Sequence, residues 1–345
     1  VNWVDLYLTG WWGQIEAWFV FFLLMASWFL IKRNVLLAWL ALGISVALKQ
    51  PAIIALPIFL VGTWKWFGSK ALVWGIVGFV SLILLLSLPL VLAGQIDVYL
   101  TRVTQTVRHF PWISLNSYNL WYAVTPRARS IGMDFNHDHN RFLFDISYRD
   151  WGLILFSLGY GVLLTLVTLR REPMAIFATL GVCWLTFFTL NTRIHARYLF
   201  PALVMFLCAG CKNHKWWWIY GLLTITMSIN IFVRACEISP STCTQLLTVD
   251  PLMKVGVAMT NVITLFFSIF IDARSSLKVS LSYLRDRRYP LLFSIVLGWI
   301  LGVLVVVTMA WQAHTLGEQA VTLKKQIVSS SVEVLGNVQV SEDVV

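Results

Sequence analysis

The chain has 345 residues, enough for two or three soluble domains, but its composition excludes that reading: 59% of residues are hydrophobic and only 12% are charged, against about 25% charged in an ordinary soluble protein. Mean hydropathy is +0.76 and there are 18 Trp residues, a residue that concentrates where apolar chain meets headgroups. A soluble globule, a disordered chain, a collagen and a secreted disulfide scaffold are excluded. The net charge of +10 reads as topology signal plus local sites, not as a nucleic-acid surface, because apolar segments separate the charges.

In chain order, residues 1–14 form an interfacial segment with Trp3, Asp5, Trp11 and Trp12. They carry no basic region ahead of an apolar core, so they are not a signal peptide, and the absence of an initial Met leads us to expect an upstream segment. Apolar stretches follow at about 15–31, 35–48, 51–62, 71–93, 151–169, 173–190, 199–210, 216–233, 255–271 and 290–311. The expected fold is an all-α integral membrane protein of about ten transmembrane or re-entrant helices. A polytopic domain runs over 15–311, with one long outer loop at 94–150, and a polar tail follows at 312–345. The tail alternates around Gly336-Asn337, a weak hairpin signal. Segments 35–48 and 51–62 are short, and Pro51 and Pro57 interrupt the second, which suits re-entrant or broken helices.

Alternate turns fall on opposite sides of such a fold. One set, from Lys32 and Arg33 to Arg287 and Arg288, holds 13 basic residues, and the other short turns hold five: Lys49, Arg193, Arg197, Arg234 and Lys254. Six arginines of the long loop with Lys324 and Lys325 bring the second side level at 13. Short loops govern orientation, so the first set is expected to be cytoplasmic. Cys183, Cys208 and Cys211 sit in or beside apolar spans and read as packing residues, while Cys236 and Cys243 fall in an outer turn where oxidation is possible.

Charge inside or beside an apolar span is costly, so it marks candidate sites. The turn Thr192 to Pro201 carries Arg193 and Arg197; if a helix starts there, they share a face and form a phosphate clamp. Snorkelling interface arginines are the plainer alternative. Glu16 follows Trp11-Trp12-Gly13-Gln14-Ile15 at the outer boundary, where it could meet a substrate hydroxyl or pair with an outer Arg. Lys49-Gln50-Pro51 puts a lysine at a broken-helix corner. Asn116-Ser117-Tyr118-Asn119-Leu120-Trp121-Tyr122 combines amides with aromatics, the pairing expected of a sugar pocket. Asn136-His137-Asp138-His139-Asn140 has metal-ligand residue types without a second cluster, and reads as a solvated loop before a metal site.

Four of these segments, WGQIEAWF, LKQP, NSYNLWY and TRIHARYLFP, occur in an order that resembles the polytopic C-type (GT-C) membrane glycosyltransferases. The likeness is greatest to bacterial mannosyltransferase-like proteins, with a more distant one to the dolichyl-phosphate-glucose-dependent glucosyltransferases. It covers roughly residues 10–210. In such bacterial proteins the order is W-G-Q-x-D, a Lys-Gln corner, N-A-Y-N-L-W and R-x-H-E-R-Y-L-F-P. Ala196 stands where an acid is usual in the last of these.

The resemblance implies transfer of a hexose, mannose favoured, from a polyprenyl-phosphate donor to a glycan, lipid or protein acceptor, with inversion. The reaction would face the outside of a bacterial inner membrane, with no cofactor, no metal and no nucleic acid. On this reading Arg193, His195, Arg197 and Lys49 bind the donor phosphate, and Gln14, Asn116, Tyr118, Asn119 and Trp121 line the sugar pocket. Glu16 is a weak stand-in for the catalytic carboxylate, which relatives carry in the first outer loop and which is expected upstream of this chain. The alternative is a flippase or transporter for a lipid-linked sugar, using the same basic cavity without a base.

Overall fold

A computed structural model describes residues 15–106, 110–125, 137–170, 172–238 and 251–280. The segment 1–14 with Gln14, the expected span 290–311 and the tail 312–345 lie outside the described residues. Among the described residues the fold is all-helical, with isolated β-bridges and no strand. The helices are α1 (Glu16–Ile31), α2 (Val35–Leu48), α3 (Leu56–Leu92), α4 (Ile96–Thr106) and α5 (Leu120–Val124), followed by α6 (Tyr148–Leu169), α7 (Ile176–Leu190), α8 (Phe200–Gly210), α9 (Lys215–Ile238) and α10 (Pro251–Ser280).

Helices α1 and α2 make a hairpin. The polar turn between them holds Arg33 at φ 62°, and the Asn34 side chain accepts from the Leu37 amide at 3.3 Å to start α2. Antiparallel packing brings the far ends together: Ser45 Oγ donates to the Phe19 carbonyl at 2.7 Å, and Lys49 reaches Glu16. Lys49 ends α2 in an extended conformation. Pro51 follows; it has no amide hydrogen and restricts its predecessor, so the helix cannot continue. A 3-10 segment, Gln50–Ala55, takes over, and Tyr160 Oη donates to the buried Ile54 carbonyl. The expected break is therefore a short 3-10 corner at Pro51, with Pro57 in the first turn of α3 and the Ile54 carbonyl satisfied by Tyr160 of α6.

A straight helix of the length of α3, 37 residues, would measure about 55 Å, nearly twice the hydrocarbon thickness of about 30 Å. Gly68 breaks it, with φ 86° and ψ 175°. The two limbs fold back on either side of Trp39. Its Nε1 donates to Thr63 Oγ1 at 3.1 Å on the first limb. On the second limb, a Cβ added to Gly75 would lie 2.5 Å from the same indole.

Among the described residues, five helical runs are long and apolar enough to cross a membrane: Gln50–Leu92, Tyr148–Leu169, Pro173–Leu190, Lys215–Cys236 and Leu252–Arg274, with three shorter apolar helices beside them. Helix α7 is buried on nearly every side and forms the centre of the bundle. The outer helices are inside-out relative to a soluble protein. On α10, Met259, Ile263, Phe266, Phe267 and Phe270 face outward, whereas Asn261, Thr264, Ser268 and Asp272 are buried. Helix α9 likewise exposes Trp218, Leu222, Ile225 and Phe232 and buries Thr226 and Asn230. Only a hydrocarbon surrounding favours that inversion. The protein is a membrane protein.

Successive helices place two sets of groups at opposite ends. One end gathers Glu16, Lys49, the segments 110–125 and 137–147, and the turn 191–199. The other gathers the Lys32-Arg33 turn, the Lys212–Glu172 pair and the buried Arg170–Asp272 pair. Trp66 Nε1 joins that second end by donating to the Arg170 carbonyl at 3.2 Å.

Candidate functional site: a buried cation cluster at one end of the bundle

Three elements converge on Glu16. It is the first residue of α1, and its carboxylate is buried. Lys49, at the end of α2, pairs with Oε1. Arg197, in the 3-10 turn Ala196–Leu199, places Nε 3.0 Å from the same oxygen. Tyr198 supplies an aromatic face to both cations, 5.2 Å from Lys49 Nζ and 5.9 Å from the Arg197 guanidinium. The Lys49 ammonium also lies 5.6 Å from the centre of the Phe19 ring. Such faces stabilise a partly desolvated cation electrostatically.

Burial lowers the Lys49 pKa from its ordinary value, Glu16 opposes that shift, and Arg197 adds to it. His195 stands beside this pair, edge-on to Phe110 at 5.4 Å and to Tyr198 at 5.6 Å. Burial, followed by Arg197, Lys49 and Arg234, pushes its pKa down to about 3. His195 is therefore neutral at physiological pH and offers a hydrogen bond, not a charge, to an anion.

The turn itself is held from the loop side. The Leu115 amide donates to the Ile194 carbonyl at 3.2 Å, and the Arg193 amide to the Trp112 carbonyl at 3.1 Å. Arg193 adopts φ 62°, and helical geometry begins only at Ala196. The expectation that Arg193 and Arg197 share one helical face is thereby corrected. Arg193 turns to Asp138 instead, with Nε 2.6 Å from Oδ2 and Nη2 2.9 Å from Oδ1, while Thr192 Oγ1 adds a 3.0 Å bond to Oδ2. Asp138 is fully buried. His137, Asp138 and His139 bring ligand-type atoms within 4.8 Å of one another, but the guanidinium occupies the carboxylate face that a cation would need. This cluster ties the 137–147 segment to the turn.

The loop residues expected to line a sugar pocket are built into the framework. Asn119 caps α5 by accepting from the Tyr122 amide at 3.2 Å, and its Nδ2 donates to the carbonyls of Phe188 at 3.3 Å and Asn191 at 3.1 Å. Trp121 is buried and donates to the Leu190 carbonyl at 2.9 Å. Tyr118 is buried against Tyr122, ring centres 4.8 Å apart. Asn116 sits at φ 57° in the turn before them. These residues dock the loop on the end of α7, and the physical reason is their burial against carbonyls that α7 leaves open at its C-terminus. Gln14 lies outside the described residues.

Sequence reasoning did not give Asp138 as the partner of Arg193, nor did it single out Asn230 or relate Arg234 to His195. Asn230 had a legible signal, being an amide inside an apolar span. The Asp138–Arg193 contact joins residues 55 positions apart, and no local spacing encodes it. Cys236 is disulfide-bonded, while Cys243 lies outside the described residues. Cys183, Cys208 and Cys211 are free. In comparison with known proteins, the chain matches no family model and no curated relative.

Proposed function

We propose that the protein is a membrane glycosyltransferase that takes a hexose, mannose favoured, from a polyprenyl-phosphate donor. The observation that carries this reading is the convergence of Lys49 and Arg197 on one oxygen of Glu16. Two cations sharing a single carboxylate oxygen retain positive potential in a partly dehydrated site, where a second anion is strongly attracted. The donor phosphate would bind there, with a hydrogen bond from neutral His195, while the prenyl chain partitions into hydrocarbon beside the apolar outer faces. Arg193 is not part of this phosphate set; it fixes the turn that presents His195 and Arg197.

In the transfer, an acceptor hydroxyl oxygen attacks the anomeric carbon and the bond from that carbon to the phosphate oxygen breaks. The phosphate leaves with its negative charge on Lys49 and Arg197, and the hydroxyl proton passes to a general base. Glu16 already holds both cations, and its role is to position them. The site would face outward, with the Lys32-Arg33 and Lys212 turns in the cytoplasm of a bacterial cell.

The test is incubation of the protein in membranes with labelled polyprenyl-phosphate mannose, glucose and arabinose, followed by extraction of the lipid. Release of polyprenyl phosphate from one donor, abolished in Arg197→Ala, is the expected result. Retention of donor without release in any acceptor-supplied membrane would sink the transferase reading and leave a lipid-linked sugar carrier.

A further inference from the structure

Asn230 lies in α9, 3% exposed, and neither its amide nitrogen nor its amide oxygen has a hydrogen-bond partner among the described residues. A buried amide without partners costs about 1–3 kcal/mol. The neighbouring polar groups are satisfied: Thr226 Oγ1 donates to Asn261 Oδ1 at 2.7 Å, and Asn261 Nδ2 donates to the Tyr118 carbonyl at 2.8 Å. Interhelical polar packing thus accounts for Thr226 and Asn261 and leaves Asn230 over.

Its place on the helix says what it faces. Leu223, Met227 and Ile231 join the main core, and Val233 joins a second cluster with Tyr118, Tyr122, Val257 and Ala258. Asn230 falls on the face between the two, one turn from Thr226 and one turn from Arg234. Helix α9 packs on the turn Ala196–Leu199, and the Arg234 charge bears on His195. The amide is therefore set one helical turn from Arg234, one of the cations whose charge bears on His195.

An amide presents both donors and an acceptor. A bare phosphate would satisfy the donors and repel the carbonyl. A hydroxyl both gives and receives, so a hydroxylated group carried on an anion fits this position. We infer that Asn230 forms a hydroxyl-recognition subsite next to the Lys49–Arg197 cluster, taking the glycosyl part of a phosphate-linked sugar. The inference rests on the proposed function and moves the sugar contact from the loop amides, which hold the framework, to a membrane helix.

The experiment uses the full chain in lipid nanodiscs, with polyprenyl phosphate and polyprenyl-phosphate mannose as the two probes. Asn230→Ala should weaken binding of the mannosylated lipid about tenfold and that of bare polyprenyl phosphate by no more than about twofold, the pattern of a lost hydroxyl contact. Equal weakening of both, or of neither, overturns the inference and leaves the phosphate reading standing. A wild-type protein that binds neither probe overturns both together. Asn230→Leu supplies an independent measurement: removing an unpartnered amide should leave the thermal midpoint at or above that of wild type. A fall of several degrees would show that the amide holds the fold and would also overturn the inference.

Discussion

At the scale of single residues, the two arginines that look alike in the turn are separated by their partners. Arg193 chelates Asp138 through two nitrogens, and Asp138 has no solvent contact. Removing one partner of a buried pair strands the other charge, at a cost of about 3–5 kcal/mol. Asp138→Ala should therefore lower the thermal midpoint sharply, and Arg193→Ala should follow it, both read by unfolding in detergent. Arg197→Ala should instead show in donor binding, weakening polyprenyl-phosphate capture by roughly tenfold or more. His195 provides a pH signature. Its folded-state pKa is about 3, against about 6.5 for an unfolded chain. Between these values the unfolded state binds more protons, so this contribution to stability is complete above pH ~6.5 and falls as the pH drops toward 3. A thermal midpoint measured from pH 7 to pH 4 should decline less steeply in His195→Gln than in wild type; parallel curves would remove the burial assigned to this ring.

At the scale of elements, some apolar runs of the sequence were legible nearly to the residue: the stretch 35–48 is α2, and 173–190 is the 3-10 entry plus α7, whereas 51–62 and 71–93 join in one run kinked at Gly68 and 255–271 extends to 251–280. Hydropathy suffices there because a span needs only length and low charge. The Lys49 corner was legible too, because Pro51 cannot continue a helix. The loop was not. Asn119 and Trp121 have the residue types of a sugar pocket, and nothing local distinguishes an amide that meets a hydroxyl from one that meets the open carbonyls of Phe188 and Asn191. Helix α3 shows how backbone chemistry sets an element's path. Trp39 is pinned by Thr63 and lies against Gly75, so even a methyl group at Gly75 must displace a buried indole. Gly75→Ala should cost about 1–3 kcal/mol, measured as loss of midpoint temperature, whereas Gly221→Ala, whose added Cβ meets nothing within 4 Å, should be neutral.

At the scale of the whole molecule, the inside-out helices predict a definite topology. The Asn34 turn and Phe144 lie at opposite ends of the bundle, both exposed. With the three free cysteines replaced by serine, Phe144→Cys should react with an impermeant maleimide on intact cells, and Asn34→Cys only after lysis. Labelling of both on intact cells would contradict a membrane-crossing arrangement, and the reverse order would invert the orientation proposed for the site.

The Arg170–Asp272 pair bears on how such a chain is made. Asp272 lies at the C-terminal end of the run Leu252–Arg274 and is fully buried there, and a buried carboxylate without its partner costs about 3–5 kcal/mol. Arg170, about a hundred residues earlier in synthesis, ends α6 and offers the compensating charge. Helix α10 is then best released from the translocation channel against an already inserted α6, so the pair imposes an order of assembly, with the early helix acting as receptor for the late one.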